Sequence, residues 1–97
     1  MIERTRRQRL YWLVDLLIAS ELAVNDFARE FDRTYLHTED GELTLAEERE
    51  FALLHRESGW YALPEDRGPG SYPHLRTEQD VMDTARGVKE RLGWSDA

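Results

Sequence analysis

The stretch Leu16-Leu17-Ile18-Ala19-Ser20-Glu21-Leu22-Ala23-Val24-Asn25-Asp26-Phe27-Ala28-Arg29-Glu30-Phe31 decides the fold class, because one apolar helical run ends in it and a second amphipathic run begins a few residues later. Upstream, Leu10, Leu13, Val14, Leu17 and Ile18 recur at the spacing of one helical face, with Trp12 and Leu16 widening it, so a first helix is read from about Arg4 to Ala19. Downstream, Val24, Phe27, Phe31 and Tyr35 form an apolar stripe. Asp26, Arg29, Glu30, Asp32 and Arg33 occupy the other sides of a second helix from about Val24 to His37. The few residues between the two runs force antiparallel neighbours.

Two more helices follow from capping signals. Thr44 can cap a free backbone N–H while Glu47, three residues on, reaches back to the cap residue's own N–H. Phe51, Leu54 and Ala52 supply an inward face, and Gly59 is a C-terminal stop. The fourth helix begins at Thr77, with Glu78 and Asp80 where the helix dipole favours anions, and Val81, Ala85, Val88 and Leu92 repeat at helical spacing. Asp40-Gly41 marks the turn between the second and third helices. The third connection, Gly59 to Arg76, holds Pro64, Gly68, Pro69, Gly70 and Pro73 and is a long loop of the kind that carries function. The expected architecture is all-α, a four-helix antiparallel up-and-down bundle with a long loop between helices 3 and 4, and residues 1–97 form a single domain.

Composition narrows the function. With no cysteine, disulfides and zinc–thiolate sites are excluded, and a reducing cytoplasm is the expected location. The basic start Met1 to Arg7 leads into an apolar run interrupted by Asp15, without a signal-peptide cleavage site, and no segment approaches a membrane span. Residues 1–9 hold four Arg against one Glu, a net of +3; with −7 for the whole chain, the remainder carries −10. Such a body repels nucleic acid and anionic membranes and attracts cationic protein surfaces. Arg4, Arg6, Arg7 and Arg9 are therefore read as a solvated, frayed first turn rather than a nucleic-acid site.

No catalytic constellation emerges. His37, His55 and His74 lie far more than one turn apart, and Gly68-Pro69-Gly70 lacks both a donor at Pro69 and a following Gly-Lys-Ser/Thr. The chain is read as a non-enzyme with no cofactor and no metal. A metal-dependent enzyme built on His55 and neighbouring carboxylates is the weakest reading. Acidity carries more content: Glu39, Asp40, Glu42, Glu47, Glu48 and Glu50 stand against Arg49 alone within twelve positions. Glu47 has a capping duty and the others can keep a small domain soluble, yet like charges so close together repel, and they are useful when a basic groove must be recruited. Trp60 and Tyr61 precede the long loop. They close the end of the core or serve as interface anchors, and core is the favoured reading.

The order Leu16-Leu17-Ile18-Ala19-Ser20, three residues, Val24, two residues, Phe27, followed by Pro64-Glu65-Asp66-Arg67, resembles the colicin D immunity family, small helical bundles that neutralise bacterial RNase toxins, over about Leu13 to Leu92. The resemblance implies an acidic surface that covers a basic RNA-binding cleft, the carboxylates standing where phosphates would. By position it implies that Glu65 and Asp66 are the acidic part of the loop motif, Arg67 its basic close, and Glu57 the acidic end of the preceding helix. Trp60, Tyr61, Glu50, Asp40 and Glu42 complete the candidate partner-binding set. Ala23 departs from the capping Ser or Thr that would suit the second helix. The expected partner is a basic nuclease toxin domain, with no nucleic acid and no membrane; oligomeric state is open. The alternative is an acidic helical adaptor or regulatory subunit docking to another cytoplasmic protein.

Overall fold

A computed structural model of the chain describes residues 5–61 and 77–94. They form four helices: α1 (Arg6–Ile18), α2 (Val24–Leu36), α3 (Leu45–Gly59) and α4 (Glu78–Leu92). Among the described residues no helix is long and apolar enough to cross a membrane.

Local chemistry sets the ends. Thr5, Thr44 and Thr77 each begin a helix as one half of a capping box, answered by Gln8, Glu47 and Asp80 three residues on. The box at Thr5 was not anticipated. It starts α1 two residues later than the apolar period suggests. As expected from Ala23, α2 has no side-chain cap. The end of α1 is closed by backbone: Glu21 N–H donates to Leu16 O at 2.9 Å and Ser20 N–H to Leu17 O at 3.0 Å, which places Ser20 in the left-handed region at φ 60°. This is a Schellman closure with serine where glycine is usual. Helix α4 ends the usual way, on Gly93 at φ 70°. Gly59, by contrast, is the last residue of α3 rather than its left-handed stop, and Trp60 caps the helix at φ −92°.

The core is the meeting of the four stripes. Leu10, Leu13, Val14 and Leu17 of α1, Val24, Phe27 and Phe31 of α2, Phe51 and Leu54 of α3, and Val81, Ala85 and Val88 of α4 are all buried. Ala52 is a correction. It faces solvent, because the inward positions of α3 are Glu47, Phe51, Leu54 and Ser58, and residue 52 lies about 100° round from residue 51. Phe31 stacks on Phe27 at 5.1 Å and meets Phe51 at 5.9 Å, which joins α2 to α3. Tyr11 lies edge-on between Phe51 at 5.3 Å and Trp94 at 4.6 Å, so one ring of α1 touches α3 and the chain just past α4.

Phe27 and Phe31 are fully buried. Truncating either to Ala should cost about 3–5 kcal/mol in chemical denaturation, whereas a loss below about 1 kcal/mol would mean that the α2 face is misassigned. Ser20→Gly should act in the opposite direction and raise stability by about 0.5–1 kcal/mol by relieving the left-handed serine. An unchanged or lower denaturation midpoint would show that the closure is not strained.

Candidate functional site

The acidic cluster does not become one acidic face. A helix that advances about 100° per residue distributes neighbouring carboxylates to different sides. Glu47 turns inward and is 3% exposed. It caps its own helix by accepting the Thr44 N–H at 2.8 Å. It also accepts Arg7 Nε on both oxygens, at 3.0 and 2.8 Å, and the Tyr11 hydroxyl. Burial alone would raise its pKa. The bonds from the Thr44 N–H, Tyr11 and Arg7 outweigh burial and hold the carboxyl below its ordinary 4.5. Burial, helped by the same contact with Glu47, pushes Tyr11 up to about 12.

Glu50 points to the other side of α3. It is 7% exposed and accepts Arg91 Nε of α4 at 2.6 Å, with Arg49 Nε 4.0 Å away. A mid-helix glycine makes room for this bridge: a β-carbon at Gly87 would come within 3.0 Å of the Arg91 guanidinium. Glu57 is also buried, with Arg56 at 3.5 Å. Glu50 and Glu57 are therefore largely withdrawn from solvent and bound to arginines.

Of the run from Glu39 to Glu50, the carboxylates that stay at least partly on the surface lie along the α2–α3 seam and its connector. Glu39 and Asp40 are exposed, and Glu42 is half-buried. Glu42 accepts the Glu39 N–H at 3.1 Å and Arg6 Nε at 3.3 Å. Those bonds, the Glu39 N–H first, hold its pKa below 4.5. Glu39, Asp40 and Glu42 line a shallow cleft of about 590 Å³, with Thr5 and Arg6 on its other wall. Further along the seam, exposed Glu48 accepts the Tyr35 hydroxyl at 2.8 Å, and burial with this bond lifts Tyr35 to about 12. Beyond it, exposed Asp32 meets His55 Nε2 at 2.6 Å. Sequence reasoning counted Asp32 only as part of a polar flank, since nothing in a linear pattern aligns it with Glu48 across two helices.

Two further expectations change. The arginines of the first turn are engaged rather than frayed: Arg7 holds Glu47, Arg6 holds Glu42, and Arg9 donates to Thr34 Oγ1 at 3.1 Å and Glu30 at 3.0 Å. Arg4 lies outside the described residues. Trp60 does not close the core; it is 42% exposed at the end of α3, whereas Tyr61 is half-buried against the core. Glu65, Asp66 and Arg67 lie outside the described residues, as do His74 and most of the loop from Gly59 to Arg76. Among the described residues no group of three or more His, Asp or Glu is placed to hold a metal ion. Compared with protein-family models, curated proteins and solved structures, the chain gives no match.

The depressed Glu47 pKa fixes a pH window. A carboxyl with a folded-state pKa below its unfolded value contributes stability above about 4.5, and that contribution is lost as pH falls through the lower folded-state value. Glu47→Gln should therefore cost about 2–3 kcal/mol at neutral pH and flatten the acid limb of stability against pH, measured by urea denaturation. A variant as acid-sensitive as the parent would show that another carboxylate governs that limb. At the alkaline end Tyr11 and Tyr35 should resist ionisation to about pH 12 when tyrosinate absorbance is followed in the folded protein.

Proposed function

We propose that this chain is an immunity-type inhibitor that binds a basic nuclease toxin domain, an RNase or tRNase, and covers its active cleft. In this reading the protein is a single-domain, antiparallel up-and-down bundle in the cytoplasm. It neither catalyses a reaction nor holds a cofactor. The short connectors support the topology. So do contacts that pair the first half of one helix with the last turn of its neighbour: Arg9 with Thr34, Glu48 with Tyr35, and Glu50 with Arg91.

The observation that carries the function is the exposed acidic seam. Asp32, Glu48, Glu39 and Asp40 follow one edge of the α2–α3 pair, on a body that carries −10 beyond its first nine residues. A nuclease cleft binds RNA through Lys and Arg arranged for phosphates at regular spacing. A row of carboxylates on a helical edge offers the same cations an alternative ligand, and the protein's net charge draws the basic domain in. The likeness of Leu16–Phe27 and Pro64–Arg67 to the colicin D immunity family points the same way and assigns Glu65, Asp66 and Arg67 to the contact. Glu50 and Glu57 are not part of this seam, since they are buried and their carboxylates are engaged by Arg91 and Arg56.

The test is capture of the toxin domain encoded beside this gene. The expected outcome is a stoichiometric complex in which nuclease activity is lost. Reversing Asp40, Glu48, Glu65 and Asp66 to Lys should slow association by about tenfold or more at low salt and remove protection, with the helical content intact. A neighbouring toxin domain that proves acidic, or binding to it that ignores both salt and all four reversals, would replace this reading with the adaptor one.

A further inference from the structure

The outward face of α3 has the opposite character from the seam. Leu45, Arg49, Ala52, Leu53, Arg56 and Trp60 recur at intervals of three and four, and at about 100° per residue they fall within one arc of about 100°. Leu45 is 91% exposed and Trp60 42%, two of the three large hydrophobic residues most exposed among the described residues. Leu53 is half-buried between them. No carboxylate of α3 falls on this arc: Glu47 turns towards α1, Glu50 towards α4 and Glu48 towards α2, and Glu57, seven residues after Glu50, is buried and lies about 40° beyond the arc on the Glu50 side.

Arg91 of α4 completes one wall. Together with Arg49, Glu50, Ala52, Leu53 and Arg56 it lines an open groove of about 630 Å³. The arginine side chains remain half or more exposed, Arg49 at 79%, Arg56 at 65% and Arg91 at 50%. The carboxylates that face them, Glu50 and Glu57, are 9% and 12% exposed and so lie behind the cations. Three cations against two withdrawn anions leave the groove locally positive. Each guanidinium has five N–H donors, and the bonds to Glu50 and Glu57 leave others facing solvent.

We infer that this face of α3 docks an acidic amphipathic helix of a partner protein, its apolar residues on Leu45, Leu53 and Trp60 and its carboxylates on Arg49 and Arg56. The stripe extends over about 22 Å, the length of roughly four helical turns, and its apolar and cationic positions alternate along that length. Arginine and tryptophan are the side chains that dominate the energy of protein interfaces. An anionic membrane could use the same chemistry, but it would have to accept a body of charge −7, whereas a helix brings its carboxylates only to the groove. This surface is separate from the acidic seam and takes a partner of opposite sign, so neither reading rests on the other.

The experiment is selection from a displayed library of four-turn helices in which apolar, acidic and basic residues are all allowed at the varied positions. Selected peptides should carry apolar residues at intervals of three and four flanked by Asp or Glu, and backbone NMR shifts on binding should be confined to α3 and the adjoining turns of α4. R49E with R56E should weaken binding by about a hundredfold and Trp60→Ala by about tenfold, with circular dichroism unchanged because all three side chains are exposed. Arg91 is left intact, since its loss would uncover buried Glu50. Basic or neutral selected peptides, no selected binder, shifts elsewhere on the protein, or affinity unaffected by R49E with R56E would overturn the inference. So would binding of phosphatidylserine vesicles in preference to the acidic peptides.

Discussion

The carboxylate of Glu47 is the constraint from which the arrangement of the helices follows. An ionised group 3% exposed is stable only if hydrogen-bond donors surround it, and removing one partner from such a group costs several times what a surface ion pair is worth. Thr44 supplies one donor from α3's own cap; the others come from Arg7 and Tyr11 of α1, separated from it in sequence by two connections and the whole of α2. Satisfying Glu47 thus fixes the first two turns of α1 against the start of α3. Tyr11 then carries the constraint onward, since its ring is wedged between Phe51 and Trp94. Trp94 in turn donates to Asp15 at 3.0 Å, and Lys89 reaches the same carboxylate at 2.8 Å, so the end of α4 is held to α1 by a second anion.

The division of charge around α3 follows from the same geometry. Consecutive residues leave a helix about 100° apart, so Glu47, Glu48, Arg49 and Glu50 cannot share a face. They face the core and α1, the α2 seam, solvent, and α4 respectively. A run that reads as a single acidic cluster therefore becomes two buried ion-pair staples, one member of an acidic edge and one member of a cationic stripe. Sequence density of charge is a poor guide to surface potential on a helix for this reason. The helical position of each charge is what decides its role.

This explains what was legible beforehand and what was not. The four helices, the box at Thr44, the cap at Thr77 and nearly every core position follow from signals within seven or eight residues, where periodicity and capping act, whereas the reciprocal bond by which Asp80 completes a box at Thr77 appears only in the structure. Ala52 was misplaced because a small apolar residue beside Phe51 and Leu54 fits an inward face by composition while its angle excludes it. The fate of the first-turn arginines was not legible, since Arg7 and Glu47 are 40 positions apart and only the packed bundle brings them together. The exposure of Trp60 was hidden for a related reason. A need for large apolar groups favours burial in a small chain, but a helix-capping position at the end of α3 is set by where the helix stops, not by what the core could use.

Opposite surfaces on one small body are compatible because screening separates their ranges. At physiological ionic strength the field of an exposed charge decays over about 8 Å, so a docking partner in contact with α3 feels the nearby guanidinium groups more strongly than charges on the far sides of the bundle. Net charge governs the approach from a distance, where −7 overall favours cationic over anionic surfaces. Contact at the α3 groove is governed instead by Arg49, Arg56 and the apolar residues between and beyond them, whose desolvation strengthens each hydrogen bond to an arriving carboxylate. The burial of Glu50 serves both ends. By withdrawing its charge from the surface, the bridge to Arg91 stabilises the α3–α4 contact and leaves the groove cationic on a protein that is otherwise acidic.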